Sequence, residues 1–356
     1  MKILVAPLNW GLGHASRCVP LVQRLLNEGH EVILGGDGES LTLLRKHFPK
    51  LRYTYLAPLN LRYSAGSRQV WAMIKAMPKL IKWAIQDHLM LKTLLREEPI
   101  DQIISDNRFG LYLKQGQTTS NDVKQPQTIY LTHQLHIMLP RGWKWAEPIA
   151  SRIHARIYTR YNKVWVPDYP DPQQNLAGEL SHPQNVQCTM YNVQYIGPLS
   201  RFSLTAQRSY SETVLQRSGL TAQRSYTIVA VLSGLEPHRT LLEKELIARF
   251  SNDQRPMTND PFPSVLIVQG LMHRPNTRIK RGNITIVPFM GDKELAPALL
   301  GAKHIIARSG YSTIMDLEAL HLLTANSQQL TAKIELIPTP GQPEQEYLAT
   351  LHNKMQ

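Results

Sequence analysis

Ala307-Arg308-Ser309-Gly310-Tyr311-Ser312-Thr313-Ile314-Met315-Asp316-Leu317-Glu318-Ala319-Leu320 follows directly on the apolar run His304-Ile305-Ile306. An apolar strand that breaks at Ser-Gly and restarts as a helix leaves backbone N–H groups and a positive dipole end at one point, and such a point attracts phosphate. Early in that helix lies Asp316, an acceptor-only carboxylate suited to two ribose hydroxyls, each bond worth about 1.5–3 kcal/mol because one partner is charged. Phosphate plus ribose points to a nucleotide. The same residues also suit an ordinary strand-turn-helix unit with a serine cap.

The residues before this stretch repeat its pattern. Thr227-Ile228-Val229-Ala230-Val231-Leu232 reads as a strand, Ser233-Gly234-Leu235-Glu236-Pro237-His238-Arg239-Thr240 as a small-residue loop, and Leu241 to Phe250 as a helix. Ser264 to Val268 and Ile284 to Phe289 read as further strands, with the polar segment Ser251 to Pro263 as a loop between helix and strand. The N-terminus does the same. Ile3 to Pro7 is apolar, Asn9-Trp10-Gly11-Leu12-Gly13-His14 breaks it, and Val19, Val22, Leu25 and Leu26 continue at helical spacing until Gly29-His30-Glu31-Val32 opens a second strand. Strand, glycine loop, helix and strand make a βαβ unit and imply a parallel sheet. Arg17 or Cys18 stands where a third glycine would complete a dinucleotide fingerprint, which disfavours NAD. Ile100 to Asp106 and Thr128 to His133 read as later strands that deliver polar residues to the carboxyl edge of the sheet, where open α/β sheets bind ligands.

The expected architecture is therefore α/β, with two Rossmann-like doubly wound parallel-sheet domains facing across a cleft. The boundaries fall at 1–198 for an acceptor domain, 199–225 for a linker, 226–342 for a donor domain and 343–356 for a C-terminal helix. Leu-Thr-Ala-Gln-Arg-Ser-Tyr occurs at Leu204 to Tyr210 and again at Leu220 to Tyr226, a local duplication that lengthens the linker without founding a repeat fold.

Composition narrows the function. A chain of 356 residues with 42% hydrophobic content suits two ordinary domains, and no apolar run approaches the roughly eighteen residues of a membrane span. The N-terminus runs straight into a strand without a signal-peptide pattern, so a cytoplasmic protein is expected. Cys18 and Cys188 make neither a disulfide framework nor a metal cluster. The net charge of +13, from 40 Lys+Arg against 27 Asp+Glu, implies an anionic partner. Val70 to Arg96 and the stretch around Ile149, Ile153 and Ile157 are amphipathic and basic, carry Trp71, Trp83, Trp143 and Trp145, and suit an anionic membrane surface. Helices packed on the sheet with solvated basic faces are the alternative. Nucleic acid ranks last, because no recognised nucleic-acid motif accompanies the charge.

Taken together, the motifs resemble a GT-B glycosyltransferase. The pattern is closest to the MurG-like peptidoglycan N-acetylglucosaminyltransferases, which act on a lipid-linked acceptor, and more loosely to the UDP-glucuronosyltransferases. Gly11-Leu12-Gly13-His14, Gly29-His30-Glu31-Val32, Ser233-Gly234 with Arg239, Phe289-Met290, Arg308-Ser309-Gly310 through Asp316, and Gln345 follow one another in the family's order. The resemblance implies an inverting, metal-independent transfer from a nucleotide sugar, expected to be UDP-linked, to an acceptor hydroxyl on a lipid or glycan, with no cofactor. Phe289 and Met290 would flank the base, Ser309, Gly310 and Thr313 meet the pyrophosphate, and Asp316 hold the ribose. Gln345, with Gln342 beside it, would reach the sugar, and Arg239 would offset the charge of the leaving diphosphate. Gly11 and Gly13 would shape the acceptor-side loop. His14 is the expected general base and Asp106 its orienting carboxylate, with His133 and His136 as rivals. A UDP-sugar 2-epimerase of the same fold, or a catalytically silent binding protein, are the alternatives. Two departures stand out: His321 to Glu335 carries no glycine where the family leads through glycine and proline into the next strand, and Leu348 occupies a common asparagine position.

Overall fold

The computed structural model describes residues 1–59, 69–113, 125–183, 192–203, 226–234, 236–251, 262–275, 277–323 and 332–353, with the side chains of 69–73 left aside. Most of the expected linker, the duplicated heptapeptide except Tyr226, Cys188, the Trp71 side chain and the middle of the segments 251–263 and 321–335 lie outside the described residues. The chain divides into two compact units, Met1–Leu199 and Ser200–Gln356.

The first unit is built on β1 (Lys2–Pro7), β2 (Glu31–Gly36), β3 (Arg52–Tyr55), β4 (Gln102–Asp106), β5 (Gln127–Leu131), β6 (Lys163–Val166) and β7 (Val193–Tyr195). They form one parallel sheet in the order β3-β2-β1-β4-β5-β6-β7. Its helices are α1 (Gly13–Asn27), α2 (Gly38–His47), α3 (Gln69–Glu97) and α4 (Glu147–Tyr158). The continuous apolar run Ile3 to Ala6 is fully buried because both sheet faces are covered, as parallel strands require. Strand order reverses at β1, so the crevice that such sheets offer to ligands lies beyond the ends of β1 and β4. There Pro7 is in register with Asp106, and the Leu8 N–H donates to the Asp106 carbonyl at 2.9 Å.

The second unit contains β8 (Ile228–Val231), β9 (Val265–Val268), β10 (Ile279–Arg281), β11 (Ile284–Val287), β12 (His304–Arg308) and β13 (Lys333–Ile337). The order is β10-β11-β9-β8-β12-β13, parallel throughout except for the β10–β11 hairpin. Helices α5 (His238–Phe250), α6 (Asp292–Leu300), α7 (Tyr311–Ala319) and α8 (Pro343–Asn353) accompany it. Order reverses between β8 and β12, which brings the Ser233-Gly234 loop and the Ser309-Gly310 turn to one edge.

A fully buried arginine holds the carboxyl edge of the first unit. Arg108 sits just past β4, and all five of its N–H groups find acceptors. Nε donates to Asp87 Oδ2 at 2.9 Å, one terminal nitrogen to Asp87 Oδ1 at 2.8 Å and the Ala57 carbonyl at 2.6 Å. The other reaches Asp37 Oδ1 at 2.9 Å and the Pro7 carbonyl at 3.4 Å. One guanidinium thus ties the ends of β1, β2 and β4 to α3, and its planar fork suits that task as an ammonium would not.

The missing glycine after α7 has a local explanation. Leu322 N–H bonds the Leu317 carbonyl at 2.9 Å and His321 N–H the Glu318 carbonyl at 2.8 Å, the paired bonds of a Schellman cap with His321 at its left-handed position, φ 56°. At the end of α1 the same cap is made by Gly29, φ 79°, with bonds to Leu26 and Leu25. A non-glycine residue held there costs about 1 kcal/mol. His321→Gly is therefore expected to raise the thermal midpoint by about 2–4 °C, measured by calorimetry. Beyond this cap, β13 pairs with β12 in parallel, Arg308 opposite Ile337, and Leu348 packs fully buried in α8.

Candidate functional site

In the first unit the site begins with the break after β1. Gly11, at φ 73°, takes a left-handed conformation that admits glycine readily, and α1 starts two residues later at Gly13 with no side-chain cap and no acidic residue in its first turn. His14 and Arg17, three residues apart on α1, share a face and both reach Asp106 at the end of β4. His14 Nδ1 lies 2.8 Å from Asp106 Oδ1, and Arg17 Nε donates to Oδ2 at 2.6 Å. A terminal nitrogen of Arg17 also bonds Oδ1 closely, and the Cys18 thiol points at Oδ2 from 3.6 Å. The next residue, Asn107, takes φ 54°, a conformation asparagine tolerates better than most.

Burial alone would raise the Asp106 carboxyl pKa. The charges and hydrogen bonds of Arg17 and His14 outweigh it and hold the group well below the usual carboxylate range. An ionised carboxylate only accepts, so His14 Nδ1 carries the hydrogen of their shared bond. The 3.0 Å approach between Arg17 and His14 Nδ1 is two donors converging on one oxygen. The His14 side chain is 16% exposed while that of Asp106 is fully buried, so the imidazole is partly open and its anchor is sealed from water.

Arg17 is the member of this cluster that sequence reasoning misses: the motif marks it only as an absent glycine, although its i, i+3 spacing from His14 places it on the same helical face. The rival histidines do not share this geometry. His133 Nδ1 faces an Arg17 terminal nitrogen at 3.1 Å and so accepts from it. His136 turns away, to Ser151 at 3.3 Å and Glu147 at 3.6 Å.

In the second unit, Ser233 and Gly234 leave β8 with Gly234 exposed at φ 96°. Ser309 and Gly310 leave β12, and Gly310 caps α7, whose N-terminus has no side-chain cap and no acidic residue in its first turn. Thr313 and Asp316 follow along α7 and line one small pocket together with Arg201 and Phe202. Phe289 is partly exposed and Met290 buried just past β11.

Gln345 stands at the same edge despite the unusual segment before it. Ser309 Oγ donates to the Gln345 carbonyl at 2.7 Å, the Gln345 side-chain oxygen accepts the Thr339 N–H at 2.9 Å, and its amide donates to Gln342 Oε1 at 2.6 Å. Two arginines of these motifs, Arg239 and Arg308, have partners within the chain. Arg239, expected to offset a diphosphate, is instead bonded by Nε to Glu236 at 2.8 Å and by a terminal nitrogen to Glu243 at 3.1 Å, so its charge is already balanced. Arg308 spends its terminal nitrogens on the carbonyls of Pro338 and His238, at 2.8 and 2.7 Å, and stitches β12 to β13 and α5. Nearby, buried His238 Nε2 and Thr339 Oγ1 have no hydrogen-bond partner among the described residues.

The amphipathic helices turn an apolar stripe outward. On α3 the buried stripe is Leu80, Trp83, Asp87 and Leu91, while Ile74, Met77, Ile81, Ile85 and Leu89 face solvent beside exposed Lys75, Lys79 and Lys82. Trp83, expected at a membrane surface, is core: its indole N–H donates to the Ala57 carbonyl at 2.8 Å. On α4, Ile149 and Ile153 are exposed beside Arg152 and Arg156, and Trp145, 69% exposed, stacks on Trp143 just before the helix. Phe109 packs edge-on against both Trp83 and His154, which puts the two helices on one side of the sheet. No helix among the described residues is long and apolar enough to cross a membrane.

No protein-family model matches the chain. It is 25% identical over 327 residues to an uncharacterized glycosyltransferase of Methanosarcina acetivorans, spanning 89% of this chain and 76% of that protein. A Methanosarcina mazei protein with the same description is 23% identical over 329 residues, 89% of this chain and 76% of its own. Among solved structures, Arabidopsis thaliana UGT89C1 complexed with UDP superposes with a TM-score of 0.52 at 13% identity, covering 100% of this chain and 90% of that one. The glycosyltransferase SnogD from Streptomyces nogalater gives 0.51 at 14% identity, covering 95% and 81%. The two parallel-sheet units are those of the GT-B fold.

Proposed function

We propose that this chain, a glycosyltransferase of the GT-B fold, transfers a sugar from a UDP-linked donor to an acceptor hydroxyl with inversion and without a metal. The observation that carries the proposal is His14, held by Asp106 through Nδ1 and partly exposed at the sheet's switch point. His14 Nε2 takes the proton of the acceptor hydroxyl as its oxygen bonds the anomeric carbon from the face opposite the leaving group. The bond from that carbon to the diphosphate breaks with its electron pair on oxygen. Asp106 steadies the imidazolium that forms.

The departing diphosphate meets the N-terminus of α7, at Ser309, Gly310 and Thr313, where backbone N–H groups and the helix dipole oppose negative charge. Asp316 takes the ribose hydroxyls, Phe289 and Met290 the base, and Gln342 and Gln345 the sugar. A neighbour of this fold solved with UDP supports the choice of base. With Arg239 already neutralised, most of this stabilisation is assigned to backbone and helix. Turnover is accordingly expected to be unchanged in excess EDTA, and a loss restored by added divalent cation would count against it.

The exposed apolar stripes of α3 and α4, rimmed by lysine and arginine, support an acceptor carried in an anionic membrane, which the first unit would approach as a peripheral protein. Binding to vesicles of anionic phospholipid is expected to weaken as sodium chloride rises from about 0.05 to 0.5 M, because screening shortens the reach of surface charge. Sedimentation with vesicles measures it, and salt-insensitive binding would remove the charge from the account. The whole proposal is tested by release of a nucleoside diphosphate from a panel of nucleotide sugars offered with lipid-linked and soluble glycan acceptors.

A further inference from the structure

Asp316, the carboxylate assigned to the ribose, is 8% exposed and already has two partners. Ser200 Oγ donates to Oδ1 at 2.7 Å, and Arg201 Nε donates to Oδ2 at 3.0 Å. A terminal nitrogen of Arg201 lies 3.5 Å from Asp292 Oδ1 at the head of α6, so the guanidinium sits between two carboxylates. The segment is itself anchored: Phe202 is fully buried, and its N–H donates to Ser200 Oγ at 3.1 Å. Each Asp316 oxygen has about two lone-pair positions, so one bond to each oxygen leaves room for a pair of hydroxyls.

We infer that Ser200 and Arg201 are positioning residues for Asp316, aiming its carboxylate and keeping it ionised to receive the ribose hydroxyls of the donor. The inference rests on the reading of Asp316 as the ribose carboxylate. The pocket supports it, because Arg201 and Phe202 line the same space as Thr313 and Asp316. The electrostatics agree. Burial raises the Asp316 pKa; Arg201's charge and the Ser200 hydrogen bond oppose it, Asp292 adds to it, and the balance remains above the ordinary carboxyl value. Without Arg201, burial and Asp292 act with less opposition. The group then takes up a proton at higher pH, and a protonated carboxyl offers hydroxyls a weaker acceptor.

A raised pKa means that the ionised form, and with it ribose binding, is lost as pH falls through the new value. The first measurement needs no nucleotide. In a carboxyl carbon NMR titration of the full chain, with Asp316 assigned by its absence in Asp316→Asn, Arg201→Ala is expected to move the midpoint upward and Arg201→Lys to restore much of the difference. Should Arg201→Ala fail to fold, Arg201→Gln serves. An unmoved midpoint overturns the inference.

The second measurement compares UDP with 2′-deoxy-UDP by calorimetry. Wild type is expected to prefer UDP and Asp316→Asn to lose the preference. Arg201→Ala should bind UDP about 10–100-fold more weakly, with the preference returning as pH rises. Preference lost in Asp316→Asn but intact in Arg201→Ala at every pH overturns the inference and leaves the ribose reading standing. Preference retained in Asp316→Asn overturns the ribose reading itself.

Discussion

Replacing His14 with alanine is expected to lower turnover by a factor of about 100–10,000, the usual contribution of a positioned general base. The loss should fall on kcat, with KM for the donor nearly unchanged, because the donor residues belong to the second unit. The fold should survive, since Asp106 keeps the guanidinium of Arg17 when the imidazole is gone. Asp106→Asn makes the complementary test. It removes the negative charge that steadies the imidazolium and lets the amide N–H donate to Nδ1, which moves the imidazole hydrogen to Nε2, so turnover should drop while His14 itself remains. Steady-state rates of the two variants and the double variant decide the matter. If the base and its carboxylate act as a unit, the double variant is barely worse than His14→Ala; independent roles would multiply the losses.

Arg108→Met is expected to be the most destabilising single change in the first unit. It leaves Asp87 and Asp37 facing each other's charge in the interior, without the guanidinium that bonds both, and takes one donor from each of the carbonyls of Ala57 and Pro7. Breaking a buried ion pair from one side costs about 3–5 kcal/mol, a large share of the roughly 5–15 kcal/mol that holds a domain together. Arg108→Lys should recover little, because one ammonium cannot make five directed bonds. Urea denaturation gives the readout, as a fall in the midpoint of the first unit's transition. An unfolding free energy within about 0.5 kcal/mol of wild type would mean that the edge holding Asp37 and Asp106 is organised by other contacts.

Much of the fold was legible because parallel sheets write themselves in continuous apolar runs. Ile3 to Ala6 and Ile228 to Leu232 have few other readings, and glycine loops at Gly11 and Gly234 mark the turns. The pairing of His14 with Asp106 was also within reach, since residues that end neighbouring strands of a doubly wound sheet meet at its switch point. Arg17 was harder, because an arginine inside an amphipathic helix looks like solvent-facing charge until the partner strand is known. The surroundings of the second unit's motif residues were hidden for a related reason. A motif gives the position of Arg239 but not that Glu236 and Glu243 neutralise it, and it gives Asp316 but not the Ser200 and Arg201 that hold it.

The stripe on α3 shows the limit of periodicity. An apolar face at helical spacing normally turns inward, yet Trp83, Asp87 and Leu91 take the interior, and Ile74, Met77, Ile81, Ile85 and Leu89 face out. Nothing in the period tells which of two apolar faces the sheet will cover. Trp83 goes inward because its indole N–H finds the Ala57 carbonyl and its ring meets Phe109.

The central claim is that His14 deprotonates an acceptor which then displaces a nucleoside diphosphate. The most direct measurement incubates the full chain and its His14→Ala variant with UDP-, GDP-, ADP- and dTDP-sugars, each with lipid-linked and soluble acceptors, and follows nucleoside diphosphate and anomeric configuration together. The account predicts release of UDP in step with a glycoside of inverted configuration, abolished or nearly so in His14→Ala. Retained configuration, release unaffected by the substitution, or an epimerised sugar nucleotide formed without any acceptor would contradict it.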